Sequence, residues 1–223
     1  MLNIFKLKEY LFAPLIRWIV DNPKVMRSKL FLKTMLIFPK MISKTYNKKI
    51  DKSGLDYYRP LEVGLLQIFN KPKKILDLCT GTGLSAFKIA EAFPSSSIVA
   101  IDQITEMLDI ARKQAHENDI NNIQFKIGNA AKLNYENTQF DFIVTSNAPI
   151  YLSEATRVLK DKGLLLIVYS FSGYAFINSK VNIAKYLNGD GISLLDMRNE
   201  GTGVYILGQK VDSISKTFVL GHN

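Results

Sequence analysis

The chain has 223 residues, 47% of them hydrophobic, and a net charge of +9; it is long enough for one domain with a sizeable core plus an appendage. A single cysteine excludes an intramolecular disulfide and points to a reducing compartment, and with only His116 and His222 beside it no His/Cys metal site is expected. The charge excess lies wholly in residues 1–50, which hold 11 Lys/Arg against 2 Asp/Glu, while residues 51–223 hold 18 of each, so the arm alone has a reason to seek polyanions.

Ile4–Val20 reads as one helix, with Pro14 as its kink or start, and Val25–Lys44 as a second. On a helical wheel Lys29, Lys33, Lys40 and Lys44 fall within about 60° of one another, on an otherwise apolar helix that Pro39 interrupts. That pattern, with Trp18 near by, suits either a lid packed on the core or contact with an anionic membrane surface; both readings stay open. The run Tyr10–Val20 is broken by Pro14 and Arg17, and a bilayer span needs about 20 apolar residues. No small-residue cleavage site follows it, so a secretory signal is not expected. Residues 1–54 form a predicted basic, apolar helical extension, and residues 55–223 the predicted main domain.

From about Asp56 the pattern alternates. Leu61–Phe69 is helical, Ile75–Leu78 a strand, Leu84–Ala92 a helix and Ile98–Ile101 a second strand. Ile104–Asn118 is a helix, followed by strands over Ile123–Ile127 and Phe140–Thr145, a helix over Ser153–Leu159 and a fifth strand over Leu164–Tyr169. Strands alternating with helices imply an α/β fold with a doubly wound, mostly parallel sheet. The end differs: Ile192–Arg198 and Val204–Lys210 flank Gly201-Thr202-Gly203 and read as a terminal antiparallel hairpin.

The chemistry concentrates between Ile75 and Ala86. An apolar strand carrying Asp77 breaks into a turn with Gly81 and Gly83, and a helix follows. Glycine lets a backbone approach a ligand closely, and the helix start offers free N–H groups to it. Asp102 closes the next strand, 19 positions after Gly83, where an acid can accept both hydroxyls of a ribose. Alone, Gly81-x-Gly83-x-x-Ala86 fits more than one nucleotide fold. Asp77 is the discriminating residue. A buried unpaired carboxylate is costly, and its place at a strand end makes sense against a ligand amino group.

On these residues the chain resembles the class I S-adenosylmethionine-dependent methyltransferases, over about residues 55–211. Asp77 to Gly83 is similar to their glycine-rich motif, with Cys79 in place of its first glycine. Asp102, Gln103 and Met107-Leu108 resemble the ribose- and adenine-binding segment, and Ile127-Gly128-Asn129-Ala130 the loop after the third strand. Glu154 to Gly163 resembles the helix and turn before strand five. The branch most similar contains quinone-biosynthesis C-methyltransferases and related small-molecule and lipid enzymes. The resemblance implies a seven-stranded Rossmann-like sheet with S-adenosylmethionine as the cofactor. Implied cofactor contacts are Asp77, Cys79, Thr80, Gly81, Gly83, Asp102, Gln103, Met107, Asn129, Ala130, Thr145 and Arg59. Tyr57, Tyr58 and Arg59 stand where relatives cover the methionine end of that cofactor.

Methyl transfer from a sulfonium is an in-line displacement that rests on alignment, and no dedicated base stands out. His116 reads as a surface histidine. Asn147 and Tyr151 are the candidate catalytic residues: some amino-group methyltransferases carry an Asn/Asp-Pro-Pro-aromatic turn after strand four, and here Asn147-Ala148-Pro149-Ile150-Tyr151 stands there. The expected substrate is a small molecule, a lipid or quinone precursor reached from the membrane surface being one option. The expected location is cytoplasmic, with a peripheral position at the inner face of the membrane left open. An RNA or protein methyltransferase using the basic arm is the alternative; the arm's apolar content speaks against nucleic acid as a partner. An NAD-dependent oxidoreductase is disfavoured by Asp77.

Overall fold

The computed structural model describes residues 57–171 and 173–212, together with Trp18, Asn22, Val25 and Ser28. The two helices predicted before residue 45, the extension over 1–54 and its lid or membrane role lie outside the described residues.

The first described helix, α1 (Arg59–Leu66), carries Pro60 in its first turn, where a missing N–H costs no hydrogen bond. It leads into β1 (Lys74–Leu78), whose last four residues are buried, as a central strand covered on both faces requires. α2 (Leu84–Ala92), β2 (Ser97–Asp102), α3 (Thr105–Glu117), β3 (Ile123–Ile127), β4 (Phe140–Ser146), α4 (Leu152–Val158) and β5 (Leu159–Tyr169) follow. The chain ends in α5 (Gly173–Asn178), α6 (Lys180–Gly189), β6 (Ile192–Glu200) and β7 (Gly203–Lys210).

The seven strands form one sheet in the order β3-β2-β1-β4-β5-β7-β6. β1 pairs in parallel with β2 and β4, and β4 with β5. β7 enters antiparallel between β5 and β6. This is the doubly wound, mostly parallel sheet with a terminal hairpin that the sequence predicts. The strand order reverses direction at β1/β4, which places the crevice for a ligand at the carboxyl ends of those strands.

Side chains alternate across the sheet. Ile75, Phe142, Val144, Leu166 and Val168 pack towards α1 and α2 with Leu61, Leu65 and Ile89. Leu76, Leu78, Ile143, Leu165 and Ile167 pack on the other face with Ala155, Ile183 and Leu187. Each such side chain contributes about 1.5–3 kcal/mol by burial.

Two elements depart from the sequence reading. The expected turn at Asp161–Gly163 lies inside β5 as a bulge: Phe140 pairs with Leu159 but Phe142 with Leu164. Lys162 takes φ 62 to accommodate it. The strand therefore starts at Leu159, five residues earlier than its apolar run. The second departure is the pair α5 and α6, for which the sequence reading assigned no element. Among the described residues no helix is long and apolar enough to cross a membrane, and no group of three or more His, Cys, Asp or Glu could hold a metal ion.

Candidate functional site

The tips of β1, β2 and β4 open into a cleft lined by the β1–α2 turn, the tip of β2, the loop after β4 and the start of α1. One wall is the turn from β1 into α2. Cys79, Gly81 and Gly83 all take positive φ, at 58, 57 and 86°, so the chain reverses in five residues. A Cβ on Gly83 would meet the Ala111 Cβ and Phe87 Cζ at 2.9 Å. Glycine is required there for backbone angle and for space. Cys79 holds the same left-handed region without being glycine, a strain of order 1–2 kcal/mol.

The second wall is Asp102 at the tip of β2. Its Oδ2 accepts the Gly81 N–H at 2.9 Å and its Oδ1 accepts the Ile104 N–H at 2.9 Å. The carboxylate is thereby fixed against the glycine turn and still lines the cleft. Partial burial raises its pKa, and the backbone donors work against that rise.

The third wall comes from Ser146, Asn147, Ala148 and Pro149 after β4, and from Tyr57, Tyr58 and Leu61 at the start of α1. Tyr57 and Tyr58 meet edge to face with centroids 5.4 Å apart. The Lys88 ammonium lies 5.7 Å from the Tyr58 ring centroid and 2.7 Å from Glu62. Asn147, at φ 53, donates from Nδ2 to the Tyr57 hydroxyl at 2.8 Å and to Ser170 Oγ at 2.9 Å. Its Oδ1 accepts the Ser170 N–H at 2.8 Å.

A family described as a methyltransferase domain matches residues 69–198, more than half of the chain. The chain belongs to this family. The demethylmenaquinone methyltransferase of Lactococcus lactis subsp. lactis is 37% identical over 102 residues, 42% of this chain and 40% of that protein. That of Deinococcus radiodurans is 34% identical over 106 residues, 44% of each chain. The release factor glutamine methyltransferase of Aliivibrio fischeri is 35% identical over 94 residues, 42% of this chain and 33% of that protein. The chain thus spans less than half the length of these curated relatives. A SAM-dependent methyltransferase from Aquifex aeolicus superposes with a TM-score of 0.58 at 19% identity, covering 74% of this chain and 98% of that one. The structure titled as a complex between the Haloferax volcanii Trm112 methyltransferase activator and the putative methyltransferase superposes with a TM-score of 0.64 at 12% identity, covering 78% of this chain and 98% of that one. Both likenesses carry the fold. S-adenosylmethionine is the methyl donor that this methyltransferase family and fold imply.

The cleft of this methyltransferase domain suits that molecule. Besides the glycine turn and the anchored Asp102, two buried polar atoms beside it, Asp77 Oδ1 and Thr80 Oγ1, have no hydrogen-bond partner. An unmet buried polar atom costs about 1–3 kcal/mol; Thr80 and Ser85 line the cleft, and theirs are the hydroxyls a ligand amino group would reach.

Asp77 itself is 0% exposed and does not line the cleft. Position 77 shares its face of β1 with Ile75, so its side chain points to the α2 side. There Ser85, which does line the cleft, donates to Asp77 Oδ2 at 2.7 Å. The sequence reading sets the Asp77 carboxylate against the ligand; in the structure the Ser85 hydroxyl stands between it and the cleft. Burial raises the Asp77 pKa from 3.8 to about 7; the Thr80 and Ser85 hydroxyls work the other way, and nearby Asp102 adds to the rise. Only Ser85 meets it in hydrogen-bond geometry.

Of the residues singled out in sequence, the cleft brings together Cys79, Thr80, Gly81, Asp102, Gln103, Met107 and Asn147. Gly83 stands behind them as the residue preceding α2. Five others lie elsewhere. Asn129 uses its Oδ1 to accept the Ala131 N–H at 2.9 Å, and Ala130 and Thr145 are buried in the core. Tyr151 precedes α4 and packs on the core beneath it. Arg59 pairs with Glu200 of the terminal hairpin at 3.1 Å. Ser85, Ile104 and Ser146 line the cleft and were not singled out. Strand alternation placing Asp77 towards α2 was the available signal for Ser85.

Proposed function

We propose that this protein transfers the methyl group of S-adenosylmethionine to a small apolar acceptor of the quinone-precursor type. The observation that carries the reading is the Asp102 carboxylate, held by two backbone N–H groups at the lip of a glycine turn. The demethylmenaquinone methyltransferases among its relatives support the acceptor class.

In this reading Asp102 accepts the ribose hydroxyls, Met107 and Ile104 flank the adenine, and Gly81 and Thr80 present backbone to the ligand. Ser85, backed by Asp77, meets the amino group. Tyr57 and Tyr58 cover the reacting end. The bound cofactor supplies an electrophilic methyl on a sulfonium. Among the described residues the lining includes no histidine, lysine or glutamate; the part read here for the protein is alignment and exclusion of water, and alignment can lower a barrier by roughly 7–11 kcal/mol.

A second reading, methylation of a protein amide, draws on the relative named release factor glutamine methyltransferase and on the Asn147-Ala148-Pro149 turn. The Asn147 carboxamide argues against it: both of its ends are engaged by Tyr57 and Ser170, which leaves it poorly placed to hold a substrate amide.

Calorimetric titration with S-adenosylmethionine tests the cofactor half. Asp102→Ala lowers the affinity about a hundredfold, the loss of charge-assisted hydrogen bonds; unchanged affinity sinks the reading. Methyl-labelled cofactor incubated with fractionated cell extract tests the acceptor half. Label in the lipid or small-metabolite fraction supports it, and label in protein transfers the support to the second reading.

A further inference from the structure

The helices α5 and α6 form one bent unit around Ser179, which keeps the backbone bonded through: its N–H reaches the Phe176 carbonyl at 3.0 Å and its carbonyl accepts the Ile183 N–H at 3.0 Å. Inward side chains Phe176, Ile183 and Leu187 are buried in the core. Outward, Tyr174, Asn178, Val181 and Lys185 recur at spacings of four, three and four and are all exposed. Tyr174 and Asn178 share a face of α5, and Val181 and Lys185 a face of α6. Tyr174 is 74% and Val181 68% exposed, and Phe171 just before them is 42% exposed.

We infer that this outward face of α5–α6 docks on an anionic lipid surface. An aromatic ring with a polar tip and an aliphatic side chain, turned to solvent on two consecutive helices, suit the boundary between headgroups and acyl chains. Charge selects the sign of that surface. Residues 171–189 contain no Asp or Glu, and Lys180 and Lys185 are exposed, so the face is complementary to anionic headgroups. Position gives the contact a use. The unit begins one turn past Ser170, which the Asn147 side chain ties into the cleft wall. On the reading proposed above, docking beside this wall brings the protein to the bilayer, where an apolar acceptor resides. Leu66 and Phe69, also strongly exposed, precede the first residue of β1 at the end of the sheet away from the cleft, and Ile127 and Leu195 are exposed singly.

The test uses the full chain carrying Trp18→Phe and Tyr174→Trp, which leaves one indole on the proposed face. In buffer its emission is that of a water-exposed indole. Phosphatidylcholine vesicles containing phosphatidylglycerol shift it to the blue, and brominated acyl chains quench it. Lys180→Glu with Lys185→Glu weakens vesicle binding about tenfold or more, and Phe69→Glu leaves the quenching unchanged. Emission already blue before vesicles are added shows this face covered by the chain itself or by a second copy, and overturns the inference. Absence of quenching, or its loss on Phe69→Glu alone, overturns it equally. The measurement needs neither cofactor nor acceptor, so it stands apart from the fate of the proposed reaction.

Discussion

Asn147 and Ser170 exchange two hydrogen bonds across the tips of β4 and β5: the Ser170 N–H donates to Asn147 Oδ1 at 2.8 Å and Asn147 Nδ2 donates to Ser170 Oγ at 2.9 Å. Ser170 Oγ then donates to the Tyr57 carbonyl at 2.7 Å, and Thr202 Oγ1 to the Ser170 carbonyl at 2.9 Å. Two strand tips, the start of the main domain and the hairpin are joined in one polar knot. Asn147→Ala leaves the Ser170 N–H without its acceptor and places alanine at a left-handed angle. The expected cost is about 1–3 kcal/mol of stability, read by urea unfolding, with weakened cofactor binding as Tyr57 loses its tether.

Gly83→Ala adds a Cβ at φ 86 that meets α3 through Ala111 and α2's own Phe87 at 2.9 Å. Both partners sit in packed helices and neither can retreat without moving α2. The variant is expected to lose about 2 kcal/mol or more and to bind S-adenosylmethionine poorly. Thermal unfolding with and without cofactor checks both.

The pH dependence of stability has a definite sign at Asp77. Its pKa rises from 3.8 to about 7 on folding, so between those values the folded form holds a proton that the unfolded chain has released. The stabilisation is fully present below about pH 4 and is lost as pH rises towards 7, at no more than about 1.4 kcal/mol per pH unit. Asp102 is shifted in the same direction, whereas Asp141, held by Lys160 at 2.6 Å, and Glu154, held by Arg157 at 2.8 Å, are lowered and oppose the trend. The difference between wild type and Asp77→Asn isolates the residue. The variant's stability, followed by thermal unfolding across pH 4–7, falls less steeply than that of the wild type.

Cys79 is the chain's one cysteine, so thiol labelling reports on it alone. Burial, with Asp102 and Asp77 near by, pushes its pKa up to about 12, and the thiolate is the reactive form. Iodoacetamide at pH 8 is expected to label the folded protein more than about a hundredfold more slowly than the urea-unfolded chain.

Much of this architecture is readable in the chain itself. Leu84–Ala92 and Ile123–Ile127 match the observed elements residue for residue, because a glycine turn marks the first and the alternation Ile-Gln-Phe-Lys-Ile the second. The helices α5 and α6 escaped because they are short and α6 follows Ser179 without a side-chain cap. At the site, residues adjacent to the glycine turn and to Asp102 were legible through spacing. Arg59 was not: its partner Glu200 stands 141 positions away, and only the folded hairpin brings the two together. Asn147 was legible as a position and misleading as a role, since its partners Tyr57 and Ser170 lie 90 and 23 residues off.

Tyr57 is fastened at both its hydroxyl and its carbonyl. This corner of the cleft rim is pinned from two sides, while the glycine turn and Asp102 are built entirely from later residues. Substitutions at Tyr57 can therefore reshape this rim of the cleft over evolutionary time while leaving the turn and Asp102 in place.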